Sequence, residues 1–196
     1  MRLRASILSF LLACAQPALA QQETIPQPAS TPTATVGRNL FAVSASYGKA
    51  TQINASVDTD IAGAWLRWTH MTKGRFLGAQ PAYGFEVAPF LVVDQNPRAH
   101  GIVGHFVYEQ RWLPQRSFRP VLRAGVGMMY TERRVPVGET HYNFSLFAGM
   151  GVEAALGART ALSLEYRLHH LSNANTGNRN LGINAHTILI GVIRRY

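Results

Sequence analysis

From about residue 37 onward the chain alternates between apolar and polar side chains with a period of two, broken at short intervals by turn-forming residues. That period belongs to strands whose two faces meet different surroundings. Eight segments follow from it, at about 37–49, 57–71, 76–93, 99–113, 118–134, 141–156, 160–173 and 184–196. No helical periodicity competes with it. Three segments alternate most cleanly. Even positions carry Leu122, Val126 and Met128, then Phe144, Leu146 and Met150, then Leu162, Leu164 and Tyr166. Odd positions carry Arg123, Gly125 and Gly127, then Ser145, Gly149 and Glu153, then Ser163, Glu165 and Arg167. Pro81 and Pro89 fall inside the third segment and predict a bulged or less regular strand there, because proline donates nothing to a sheet ladder.

One face is thus continuously apolar and the other small, polar or charged. A soluble β-sandwich would bury the first and wet the second. A membrane barrel turns the first to lipid and fills its lumen with the second. Closure also pairs every strand edge, which lipid demands. Eight strands, abundant glycine and the terminal aromatic Tyr196 favour an all-β, eight-stranded antiparallel transmembrane barrel over a secreted sandwich. Glu165, Arg167, Arg123, Glu153, Glu86 and Arg67 are then expected as lumen ion pairs, with His169 beside them. Trp65, Trp68 and Trp112 are expected at the interfaces or in the lumen.

The start of the chain agrees. "MRLRASILSFLLACAQPALA" has two arginines, an apolar run and a small-x-small end at Ala18–Ala20, the layout of a cleaved signal peptide over 1–20. A lipoprotein signal ending at Cys14 fits less well. Residues 21–36, rich in Pro, Thr and Gln, read as a flexible leader, leaving 37–196 as the barrel domain. The net charge of +9 falls to +7 once Arg2 and Arg4 leave, and no cysteine follows Cys14. An exported basic chain meets anionic membrane surface or lipopolysaccharide, and no nucleic acid. After residue 20 no apolar run approaches the roughly 18 residues of a membrane helix.

In an even-stranded barrel both ends of the chain lie on one side, the periplasm in bacterial outer membranes, with short turns there and longer loops outside. "MTKGR", "LPQRS" and "LGAR" then become periplasmic turns, and "RVPVGET" and "NANTGNRNLGI" outer loops. At the upper end of the seventh strand lies "RLHHLSNANTGNRNLGIN", Arg167 to Asn184. Continued alternation places His170 and Ser172 on the lipid face, with Asn184 and His186 on the same face of the hairpin partner. Idle polar groups are costly there, so the cluster points to function. A hydrated polar belt is the bland alternative. A metal site among His141, His169, His170 and His186 lacks ligand spacing.

"HLSNA" followed by "NLGIN" resembles the lipid A 3-O-deacylase (PagL) family. The motif matches at His170, Ser172, Asn173 and Ala174, then at Asn180 and Gly182. The resemblance implies an outer-membrane barrel that hydrolyses the 3-linked acyl ester of lipid A without a cofactor or metal. It implies Ser172 as nucleophile, His170 as general base, and Asn180 with the backbone N–H near Asn175 as oxyanion hole. The departure is Asn184, where the family pattern has an acid. Three readings stand: Asn184 suffices; another acid, with Glu139 on the neighbouring outer loop as candidate, substitutes; or the protein is inactive. Arg133, Arg134 and Arg179 on the rim are candidate partners for lipid A phosphates. Rival functions are a non-catalytic structural or adhesion barrel, and an esterase for another membrane lipid.

Overall fold

The computed structural model describes residues 38–51, 60–113, 116–136, 139–177, 180 and 182–196. The expected signal peptide and leader, and Arg179, lie outside the described residues. Eight strands run in chain order: β1 (Asn39–Thr51), β2 (Ile61–Met71), β3 (Gln80–Val92), β4 (Ala99–Arg111), β5 (Phe118–Val135), β6 (Thr140–Ala155), β7 (Thr160–Ser172) and β8 (Ile183–Arg195). Each pairs antiparallel with the next, and β1 pairs with β8 from Leu40↔Arg195 to Thr51↔Asn184, closing the barrel. Every expected segment is present within a few residues.

β3 keeps its register through both prolines. Toward β4 the ladder is continuous, Pro81 opposite Gln110 and Pro89 opposite Ile102, whereas toward β2 the pairing lapses at Ala88 and Pro89, between Gly63↔Phe90 and Leu66↔Val87. A register shift falls between β5 and β6, between Tyr130 and Val135. β5 and β6 are also the longest strands, with 18 and 16 residues, so their hairpin outreaches its neighbours. β4 stops pairing with β5 at Thr131, four residues before β5 ends.

The outward wall is apolar. Val43, Leu66, Phe106, Leu122, Val126 and Ile190 are all exposed, a surface that water does not tolerate and lipid does. Tyr47, Tyr130 and Tyr142 ring the wall at one end, and Trp68, Tyr83 and Tyr196 at the other, as in interfacial girdles. Among the described residues no helix is long and apolar enough to cross a membrane, which says nothing of crossing by strands.

The lumen is filled in three layers. Apolar side chains including Trp65, Phe90, Val103, Met129 and Leu171 fill the end near the β7–β8 loop. A smaller cluster of Leu40, Ala42, Met71, Ala82 and Ile193 fills the other. Between them a belt of four arginines and four glutamates balances charge. Arg123 bonds Glu109 at 2.8 Å, Glu153 at 2.7 Å and Glu165 at 3.0 Å. Arg167 bonds Glu86 at 2.7 Å and Glu165 at 3.0 Å. Arg67 reaches Glu109 at 3.1 Å, and Arg111 reaches Glu153 at 3.1 Å and pairs closely with Glu109. Each charge faces opposite charges, which offsets much of the desolvation. Arg167 also lies over the Phe147 ring at 3.6 Å. Gly125 makes room for that ring, since a Cβ there would meet Phe147 Cε1 at 2.1 Å.

Candidate functional site at the β7–β8 end

Strand alternation carries the outward face of β7 through Tyr166, Leu168, His170 and Ser172. Opposite them β8 presents Ile188, His186 and Asn184, with His170 paired to Asn184 across the ladder. His170, Ser172 and Asn184 are each half-buried on this wall. His170 Nδ1–H donates to Asn184 Oδ1 at 2.7 Å. An amide oxygen only accepts, so the proton stays on Nδ1 and the lone pair is left on Nε2. Gly182, at φ +60°, lets the loop return against this ring, with its Cβ direction 3.5 Å from His170 Cε1.

Ser172 stands two residues along the strand from His170, a rise of about 6.6 Å on the same face. Among the described residues no hydrogen bond joins its hydroxyl to His170. Below this level Tyr166 Oη and His186 Nδ1 lie 2.6 Å apart, a second polar pair on the lipid-facing wall. The pairing followed from alternation once strand phase was known, but its members lie outside the motif. Farther down the wall is an apolar groove of about 470 Å³ lined by Leu122, Met150, Val152, Leu164, Tyr166 and Ile188.

The loop after β7 is built around Asn173, which is buried. Its backbone N–H donates to Asn180 Oδ1 at 3.3 Å. Its Oδ1 accepts the Asn175 N–H at 2.9 Å, and its carbonyl accepts Thr176 N–H at 3.0 Å and Thr176 Oγ1–H at 2.7 Å. These bonds hold Ala174 (φ 50°) and Asn175 (φ 62°) in the left-handed region. The Asn175 N–H is thus engaged by Asn173. Asn180, with its oxygen accepting, keeps its amide Nδ2 as a donor without a partner among the described residues.

Glu139 Oε2 accepts from Asn173 Nδ2 at 3.0 Å, and among the described residues no hydrogen bond joins Glu139 to His170. The group facing His170 Nδ1 is Asn184. Among the described residues no cluster of His, Cys, Asp and Glu is arranged to hold a metal ion. Arg133 and Arg134 are exposed on the β5 rim, the latter's carbonyl accepting Gln95 Nε2–H at 3.0 Å.

The lumen holds a Ser/His/Glu arrangement absent from the expectations above. His105 Nδ1–H donates to Glu86 Oε1 at 3.0 Å, and Ser145 Oγ lies 2.7 Å from His105 Nε2 and 2.6 Å from His169 Nε2. All four residues are buried. The alternation read in β5 to β7 carries into β4 and would have placed His105, Glu109 and Arg111 inward.

Solved structures similar to the chain in fold include the following two. The outer membrane enzyme PagL is 18% identical, with a TM-score of 0.64, over 76% of this chain and 97% of that one. Neisserial surface protein A (NspA) is 13% identical, with a TM-score of 0.56, over 81% of this chain and 97% of that one. No curated protein sequence matches the chain. The family model for lipid A 3-O-deacylase (PagL) matches residues 43–192, from β1 to β8 and across the whole site. The chain belongs to the lipid A 3-O-deacylase (PagL) family.

Proposed function

We propose that this chain hydrolyses the 3-linked acyl ester of lipid A as a serine esterase, at the outer-leaflet rim of the outer membrane. Ser172 is the nucleophile and His170 the general base. The observation that carries the reading is the 2.7 Å bond from His170 Nδ1 to Asn184 Oδ1, on the outward wall two residues from Ser172. It leaves the basic Nε2 lone pair free for a serine hydroxyl.

Ser172 turns about Cα–Cβ to present Oγ–H to His170 Nε2. As the proton passes to Nε2, Oγ bonds the ester carbonyl carbon, and the carbonyl oxygen becomes an oxyanion facing Asn180 Nδ2–H. The tetrahedral centre collapses, the C3 sugar oxygen leaves and takes the proton from Nε2, and the acyl group remains on Ser172. Water then loses a proton to Nε2 and attacks the acyl carbon. Ser172 leaves with that proton, and a free fatty acid is released. The acyl chain stays among lipid tails throughout, because the site opens on the lipid-facing wall and the apolar groove continues down it. Asn184 orients the ring but cannot balance the imidazolium charge, so the enzyme is slower than one with a carboxylate there.

Mass spectrometry of lipid A incubated with the folded barrel in detergent tests this. Loss of one 3-hydroxyacyl mass with wild type, absent with Ser172→Ala, is expected. An unchanged profile with folded wild type rejects the activity.

A further inference from the structure

We propose that Glu139 is a positioning residue, whose buried carboxylate holds Asn173 and through it the turn at 173–176 and the Asn180 side chain. This rests on the reading of Ser172 as nucleophile. Glu139 lies immediately before β6, on a different hairpin from the candidate site. The overhang of β5 and β6 brings it there. The side chain is buried, with Oε2 on Asn173 Nδ2 at 3.0 Å and Oε1 without a partner among the described residues. A buried carboxylate with so few partners is an unfavourable element unless its contact matters.

The contact has a direction. A carboxylate only accepts, so Asn173 must present its NH₂ to Glu139. Its Oδ1 then faces the other way, onto the Asn175 N–H at 2.9 Å. Turned over, the amide would oppose oxygen to carboxylate and NH₂ to N–H. Glu139 therefore fixes one orientation of the amide on which the left-handed residues Ala174 and Asn175 depend. The same residue's backbone N–H holds Asn180 Oδ1 at 3.3 Å, which orients the amide nitrogen proposed to meet the oxyanion. Glu139 acts through Asn173 and touches no reacting atom.

The test measures initial rates on lipid A in detergent micelles across several mole fractions, on barrels shown folded by heat-modifiable gel mobility. Glu139→Ala should lower kcat roughly 10- to 100-fold with KM little changed, the scale of a misplaced catalytic group. Glu139→Leu serves if the alanine variant does not fold. Glu139→Gln should recover most of the rate, because its amide oxygen still accepts from Asn173. Combining Glu139→Ala with Asn173→Ala should be no worse than the slower single variant, as for residues acting through one contact. Wild-type kcat in Glu139→Ala and Glu139→Leu, with Ser172→Ala inactive, overturns the proposal and leaves the nucleophile standing. A Glu139→Gln protein as slow as Glu139→Ala also overturns it, since charge rather than position would then matter. Full activity of Ser172→Ala removes the reading beneath it.

Discussion

The barrel holds two serine–histidine arrangements, one in the lumen and one on the rim, and their differences are opposite in kind. In the lumen, Ser145 Oγ is 2.7 Å from His105 Nε2, and Glu86 holds His105 Nδ1 at 3.0 Å. That is the geometry of a nucleophile, a base and an orienting acid. Ser145 is nevertheless fully buried under layers of apolar and charged side chains, and no ester can approach it. On the rim, no hydrogen bond among the described residues joins Ser172 to His170, and an amide stands where an acid would, yet all three residues open onto the lipid-facing wall. Distances alone would select the lumen. Access is the ground on which the rim is proposed, because catalysis begins with a substrate in reach of the nucleophile. The lumen set instead satisfies buried polar groups, with Ser145 linking His105 Nε2 and His169 Nε2.

Mutation at the two serines gives the widest separation. Ser172→Ala should lower deacylation by about 10³-fold or more. Ser145→Ala should leave kcat within about threefold. Its effect should be on stability, about 1–3 kcal/mol lost in urea unfolding, because His105 Nε2 and His169 Nε2 lose their shared partner. Equal loss of activity in both would erase the distinction.

Charge at the orienting position sharpens it next. Asn184→Glu should raise kcat at least about tenfold, the direction opposite to the loss that accompanies acid-to-amide exchange in serine proteases. Rates on lipid A, with KM separated from kcat, check this. The lumen counterpart, Glu86→Gln, should leave kcat unchanged and destabilise the barrel by about 3–5 kcal/mol, because Arg167 loses a charge partner in the interior. Equilibrium unfolding read by tryptophan fluorescence measures it. The smallest effect belongs to the wall below the site. Met150→Trp should change kcat/KM by about 3- to 10-fold through crowding of the groove, without altering the pH profile.

The strands were legible because each lies between lipid and lumen, and that contrast writes itself as period two. The lumen ion pairs of Arg67, Glu86, Arg123, Glu153, Glu165 and Arg167 were legible for the same reason: charges on one parity of a membrane strand have nowhere else to go. Glu109 and Arg111 followed the same rule in β4, where Gly101, Gly104 and the run of His105 to Tyr108 blur the alternation. In β3 the register runs through both prolines, and the pairing that lapses at Pro89 is the one toward β2; sequence does not tell which neighbour a proline faces. Within the site, the cross-strand meeting of His170 with Asn184 followed from hairpin register. The engagement of the Asn175 N–H and the partnership of Glu139 with Asn173 did not. Both depend on left-handed residues in the loop after β7 and on the overhang of the β5–β6 hairpin beside it.

The most direct test is labelling of the folded barrel with a fluorophosphonate, which phosphonylates activated, accessible serines, followed by peptide mass spectrometry. The account predicts an adduct on Ser172, in the tryptic peptide from Leu168 to Arg179, lost in His170→Ala, and none on Ser145. An adduct on Ser145, or an active barrel that carries no adduct on Ser172, would contradict it.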